Sequence, residues 1–343
     1  MEKLHFASDY MDGAHPRVLE ALVWTNGQKT PGYGTDDYSD LARDRIREAC
    51  GCPEAEIHFL VGGTQANAVC LGALLAPYEG VLAAETGHVS QHEAGAIEFT
   101  GHEVLTLPGH DGKIDPAEAE AFCAAFFADE NHDHMVFPGA VYVSQPTESG
   151  TLYSLAELEA LREICDRYGM RLYLDGARLA YALGCPECDV TLPDLGRLCD
   201  VFYIGGTKCG ALFGEAVVVP KAGLIPHFFT IIKQRGALPA KGRILGLQFL
   251  ALFSEGLYEE IGRTAVRAAD RLRAALSAKG YELCYGSPTN QIFVRLPDER
   301  LRELAKQVEY SFWEKSGEDH TVIRLAVGWS TTEDDVRELE ALL

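Results

Sequence analysis

Residues 171–212 read RLYLDGARLAYALGCPECDVTLPDLGRLCDVFYIGGTKCGAL, and this stretch decides the fold. It opens on an apolar run, residues 171–174, that stops at Asp175. It closes on a second run, residues 200–204, that stops at the turn Gly205-Gly206-Thr207-Lys208. Short apolar runs bounded by turn residues read as buried strands. Outward from this stretch the same runs recur at residues 57–61, 81–83, 104–107, 141–144 and 216–219. Between them lie helical patterns. Residues 37–50 repeat Leu41, Ile46 and Cys50 near helical spacing, and residues 65–75 form another helix. Asp115 caps a helix whose first turn holds Pro116. Ser154 and Glu157 make a capping box for a helix over 154–168. Strands that alternate with helices predict an α/β fold with a mainly parallel sheet covered on both faces.

Toward the C-terminus the pattern changes. Residues 239–246 read as a loop leading into a helix over 247–257. Beyond Gly262 the helices lengthen and carry more charge, and residues 292–296 and 321–325 alternate as strands. The expected division is a large domain over residues 1–245 and a small α+β domain over residues 246–343.

The chain has 343 residues, 47% of them hydrophobic, which is ample for a large domain plus a smaller one. Its net charge of −21 repels phosphodiester backbones and anionic lipid, so neither nucleic acid nor membrane is an expected partner. Clusters such as Asp129-Glu130 and Glu333-Asp334-Asp335 read as a solubilising surface. The first residues lack the apolar core of a signal peptide, and the expectation is a cytoplasmic protein. Its ten cysteines, including the pairs Cys50/Cys52 and Cys185/Cys188, then read as free thiols in a reducing compartment.

Three loops at predicted strand ends carry the chemistry, where open α/β sheets bind ligands. Gly62-Gly63-Thr64-Gln65-Ala66-Asn67 leads from a strand into a helix. It is either an ordinary turn or an anion site of exposed N–H groups and helix dipole. Asp175 ends a strand half buried and needs a partner. That partner is either the nearby Arg178 or the protonated ring nitrogen of a cofactor. Lys208 stands alone among small, apolar and hydroxylic residues, where poor solvation favours the neutral, nucleophilic amine. The plain alternative is a surface lysine. His88 and His92, followed by Glu93, have the i, i+4 spacing of metal ligands but no evident third ligand, so no metal is expected. Together the three loops offer an anion site, a carboxylate and an amine. Those are the needs of the phosphate, pyridine nitrogen and aldehyde of pyridoxal 5′-phosphate (PLP).

At this point the sequence resembles a known family, the low-specificity L-threonine aldolases of the β-eliminating-lyase group. The likeness begins at Phe6-Ala7-Ser8-Asp9 and His15 to Leu22. It continues through Gly32-Tyr33-Gly34-Thr35-Asp36, Gly63 to Asn67, Glu85-Thr86-Gly87-His88 and Ser144 to Glu148. Asp175-Gly176-Ala177-Arg178, Gly205 to Lys208, Lys233 to Arg243 and Ile323-Arg324-Leu325 complete it. The resemblance implies the fold of the aspartate aminotransferases, fold type I, with a seven-stranded type of sheet and a small C-terminal domain. It implies PLP as cofactor and retro-aldol cleavage of L-threonine or L-allo-threonine to glycine and an aldehyde. Lys208 is then the Schiff-base lysine, Asp175 the partner of the pyridine nitrogen, and His88 the imidazole stacked on the ring. Gly63, Thr64 and Gln65 form the phosphate cup, reached also by Arg235 and its neighbour Lys233. Ser8, Tyr33, Arg178 and Arg324 hold the substrate. His88 and His134 are the implied contacts, or base, for the substrate hydroxyl. The likeness implies a homo-oligomer, a dimer or a dimer of dimers such as a homotetramer. Cys209 departs from the family pattern beside Lys208. Other PLP reactions, such as β-elimination or racemisation, and a PLP-binding protein without turnover remain alternatives.

Overall fold

Strand Glu56–Leu60 (β2) follows a two-residue strand at Leu4–His5 (β1), and the computed structural model describes residues 3–343. The remaining strands of the large sheet are Glu79–Ala84 (β3), Val104–Leu107 (β4), Phe137–Ser144 (β5), Arg171–Asp175 (β6), Val201–Gly205 (β7) and Glu215–Val219 (β8). They form a seven-stranded sheet in the order β2-β8-β7-β6-β5-β3-β4. Only β8 runs against its neighbours; β3, β4, β5, β6 and β7 pair in parallel. This is the mainly parallel sheet that the alternating pattern predicts.

The sheet is buried on both faces, and alternation sorts its side chains between two cores. Val141, Val143, Leu172, Leu174, Phe202 and Ile204 enter one core. Ala140, Tyr142, Tyr173, Val201 and Tyr203 enter the other, with Ala66 and Val69 of the helix Gly63–Leu74. The period of two puts Asp175 on the same side as Tyr173, facing that helix.

Local signals set the helix ends. Asp115 caps Pro116–Ala128 by accepting from Ala117 N, and Ser154 with Glu157 closes a capping box on Leu155–Tyr168. Helix Asp37–Cys50 has the predicted bounds, but Leu41 faces solvent and the buried stripe is Ser39, Ala42, Ile46 and Cys50. The helix expected over 247–257 is two helices, Arg243–Leu252 and Leu257–Ala278. Glu255 and Gly256 break the run with φ of 54° and 71°, a left-handed step no helix accommodates.

The C-terminal part builds a four-stranded antiparallel sheet from Glu282–Cys284 (β9), Gln291–Pro297 (β10), Ser311–Lys315 (β12) and His320–Ala326 (β13), in the order β12-β13-β10-β9. A short strand, Val308–Glu309 (β11), pairs in parallel with β1. These two form a separate two-stranded sheet, and Ala326 N of β13 donates to Phe6 O, which ties the N-terminal segment to the small sheet. Residues 6–10 are thereby laid between the two sheets. All ten cysteines are free thiols. No helix among the described residues is long and apolar enough to cross a membrane.

Candidate active site

Asp175 closes β6, flanked by β5 and β7, so its carboxylate meets side chains projecting from both neighbours. Tyr142 of β5 donates its hydroxyl to Oδ2 at 2.6 Å, and Tyr203 of β7 donates to Oδ1 at 2.5 Å. Asn67 Nδ2 and Ala177 N add bonds at 3.1 and 3.0 Å. Burial, then the Asp175 charge, holds both tyrosine hydroxyls well above their usual range, so they stay protonated donors. These donors satisfy the carboxylate without neutralising it, and no cation pairs with it among the described residues.

Arg178 is not the local partner of Asp175. Its guanidinium turns to Asp9, with Nε to Oδ2 at 2.7 Å and Nη2 to Oδ1 at 3.0 Å. Asn290 Nδ2 donates to the same Asp9 carboxylate at 2.9 Å. Fork geometry explains why this buried pair holds.

Lys208 follows β7 in the Gly205-Gly206-Thr207 turn and lines a cavity of about 550 Å³ with Arg178, Arg324, His88, His92 and Glu148. Arg324 reaches it from β13. Its Nη1 donates to Gln291 Oε1 at 3.0 Å, and its Nη2 lies 3.3 Å from Ala7 O. Only 9% of Arg324 is exposed, yet no carboxylate pairs with it among the described residues. Burial, then repulsion from Arg178, lowers its pKa, the signature of a charge waiting for an anion. His88 Nδ1 lies 3.1 Å from Glu148 Oε1, and its Nε2 is 3.9 Å from Glu93 Oε1. Burial opposes charge on His88, but Glu148 outweighs it and the pKa is raised.

The helix Gly63–Leu74 points its N-terminus at this region, and its N-cap Gly62 offers no side-chain cap. Its first N–H groups are therefore open to an anion. Gly63 has to be glycine there, because a Cβ would lie 2.9 Å from the Tyr203 hydroxyl. The uncompensated Asp175 carboxylate, whose donor Tyr203 meets the uncapped helix start, and the Lys208 amine that lines the cavity fit PLP.

The lysine turn has its own support. Glu215 of β8 accepts from Thr207 Oγ1 at 2.8 Å and from Gly206 N at 3.1 Å. Burial pushes its carboxyl up to about 8, more than these bonds offset. The native state then holds a proton that the unfolded chain releases near its ordinary 4.5, so this stability is full at acid pH and is lost as pH rises toward 8. Glu215→Gln should therefore flatten the decline of the urea midpoint between about pH 5 and 8, an effect on the order of a few kcal/mol. An unchanged slope would place the titration elsewhere.

The other predicted site residues are dispersed. Ser8 has a buried hydroxyl without a partner and borders a separate polar recess with Asp12 and Ser330. Gln65 and Arg235 line a shallow recess beside Glu93, outside the Lys208 cavity. Tyr33 lies under Lys233, whose Nζ is 4.1 Å from the ring centroid. His134 is a correction. It sits exposed in the turn His132–His134 before β5, at the opposite end of that eight-residue strand from Ser144, which pairs with Asp175. Asp9, Glu148, Tyr142 and Tyr203 were not singled out from sequence. Only Asp9 and Glu148 had a signal, as part of stretches shared with the family.

A family model described as beta-eliminating lyase matches residues 5–296. The low specificity L-threonine aldolase of a Pseudomonas species is 31% identical, over 98% of this chain and 96% of that one. The structure of a Leishmania major threonine aldolase matches with a TM-score of 0.95 at 40% identity, covering 98% of both chains. An aspartate aminotransferase of Thermus thermophilus shares the fold, with a TM-score of 0.72 at 20% identity, over 99% of this chain and 91% of that one.

Proposed function

The chain belongs to the beta-eliminating lyase family, and from that premise we propose that it is a PLP-dependent carbon–carbon lyase that cleaves L-threonine and L-allo-threonine to glycine and acetaldehyde. The observation that carries this reading is the shared cavity of Lys208 and Arg324, an amine beside a buried guanidinium without a counterion.

PLP, bound to Lys208, supplies an electron sink for the bond that breaks at the substrate Cα. The chain's residues supply the rest. Asp175, bonded only by neutral donors, would pair with the protonated pyridine nitrogen. Gly63, Thr64 and Gln65, at the helix start, take the phosphate. Arg324 would take the substrate carboxylate, with Arg178 lining the same cavity and Ser8 reaching in from its own recess. His88, clamped by Glu148, covers the ring. Tyr10, Phe312 and Trp313 form an apolar side of the cavity where a Cβ substituent can sit.

Arg235, Lys233 and Tyr33 lie outside this cavity and act toward a second copy's site, in a homodimer or a dimer of dimers. Exposed Trp24 and Phe99, at 80% and 89%, support such an assembly. The enzyme works in the cytoplasm, with residues 1–245 carrying the cofactor and residues 246–343 closing the substrate side.

The deciding experiment incubates PLP-loaded protein with L-threonine, L-allo-threonine and D-threonine and assays acetaldehyde and glycine together. Equal amounts of both from an L-isomer are expected. Bound cofactor without aldehyde from any isomer sinks the reading. Arg324→Gln should raise KM and lower kcat/KM by about two orders of magnitude, near 3 kcal/mol, while the absorbance of bound PLP stays unchanged. An unaltered KM would move the carboxylate site elsewhere.

A further inference from the structure

His88 and His92 have the spacing of a metal pair, yet the cavity they share makes a different use of the second ring. His92 caps the short helix His88–Gln91, and its ring centroid lies 5.5 Å from that of His88. It lines the same cavity as Lys208, Arg324 and Glu148. Its ring takes part in no hydrogen bond or ion pair among the described residues. We propose that His92 is the general base that removes the β-hydroxyl proton of the substrate. The inference rests on the aldolase reading and adds to it a residue that the family resemblance did not point to.

The two rings are set apart by their surroundings. His88 has Glu148 Oε1 3.1 Å from its Nδ1 and Glu93 Oε1 3.9 Å from its Nε2, whereas no carboxylate lies at ion-pair distance from His92 among the described residues. Around His92 stand His88 from its own turn, Glu148 from the loop after β5, Arg324 from β13 and Lys208 from the turn after β7; Tyr10 lines the same cavity. Burial, together with the positive neighbours His88, Arg324 and Lys208, outweighs Glu148 and lowers the His92 pKa. Of this pair, His92 is the ring shifted toward its neutral form and His88 the one shifted toward its protonated form. Groups of one kind whose environments push their pKa values apart divide acid from base roles.

The step balances without an oxidant or reductant. The hydroxyl proton passes to a ring nitrogen of His92, and the O–H electron pair becomes the second bond of the aldehyde carbonyl. The Cα–Cβ pair stays on Cα, where PLP would supply the electron sink. Cα then takes a proton from water, and glycine is complete. His92 returns to neutral by handing its proton to solvent.

The test uses PLP-loaded wild type, His92→Gln and His92→Phe with three measurements. Cleavage of L-allo-threonine should fall by about 100-fold or more in kcat/KM. Exchange of the glycine α-proton with deuterated water, followed by NMR, should stay within about twofold of wild type, because glycine has no β-hydroxyl. In wild type the His92 ring-proton resonance should titrate below the ordinary histidine value and coincide with the acid limb of kcat/KM. That limb should vanish in both variants. Unchanged cleavage, or glycine exchange that falls in step with cleavage, overturns the base assignment alone. Wild type that exchanges glycine but releases no aldehyde overturns the aldolase reading, and the base with it.

Discussion

Lys208→Ala abolishes cleavage, with an expected loss of at least about 10⁴-fold in kcat, and removes the visible absorbance of lysine-bound PLP. The magnitude follows from what the side chain does alone. No other lysine lines the cavity, and the next nucleophile, Cys209, is buried with its thiol pushed up to about 12 by burial, so it stays protonated. The fold should barely notice. The Lys208 amine takes part in no hydrogen bond or ion pair among the described residues, and its Nζ lies 5.9 Å from the Tyr10 ring centroid. The turn is held by the main chain, where Tyr181 donates to Lys208 O at 2.5 Å, and by Glu215 on Gly206 and Thr207. The change in stability should stay below about 1 kcal/mol. Borohydride reduction of the wild type followed by peptide mapping should find PLP at residue 208. An absorbance band that survives the substitution would mean the wrong lysine has been chosen.

What was legible in the sequence was what is local. Asp115 and Ser154 announce helix starts because a cap bonds to backbone two or three residues away. The apolar runs announce strands because both faces of the sheet are buried. Asp175 and Lys208 could be singled out because a lone charged group at an apolar strand end needs a reason. What stayed hidden depends on distant contacts. The Arg178–Asp9 pair spans 169 positions, so the neighbour in sequence, Asp175, was the natural but wrong partner. Tyr142 and Tyr203 reach Asp175 only because β5, β6 and β7 are adjacent, which strand order decides and periodicity does not. Strand β12 carries Phe312 at 64% exposure and charged Glu314 and Lys315, so it showed no alternation to read. His134 was correctly placed before a strand, but a parallel strand has a functional end and a remote one. His134 precedes β5 and so lies at its amino end, while ligands bind beyond the carboxyl ends of such strands.

Asp9→Asn should be the most destabilising change near the site that leaves the size of the side chain intact. Asp9 is 2% exposed and accepts Nε and Nη2 of Arg178 together with Asn290 Nδ2. Asn290 also donates to Val327 O, so the carboxylate ties the N-terminal segment to the loop after β6 and to the small sheet at once. Burial works against its charge, but Arg178 more than compensates and holds the carboxyl below its usual range. A depressed carboxyl contributes stability that is present above about pH 4 and is lost as pH falls through the folded value. Neutralising Asp9 leaves the Arg178 charge buried without a counterion, at a cost of about 3–5 kcal/mol. The urea midpoint at pH 7 should fall accordingly, and the acid loss of stability below pH 4 should flatten. Arg178, freed from its fork, has Glu148 as its other nearby anion. KM for threonine should therefore rise more than kcat falls, since the groups facing the carboxylate shift while Asp175 keeps its donors and the Lys208 turn its bonds to Tyr181 and Glu215. The double variant with Arg178→Met removes both charges and should recover at least about 2 kcal/mol relative to the sum of the single changes. Strict additivity would show that the pair does not hold the segment, and that the cost of Asp9→Asn arises from the lost acceptor for Asn290.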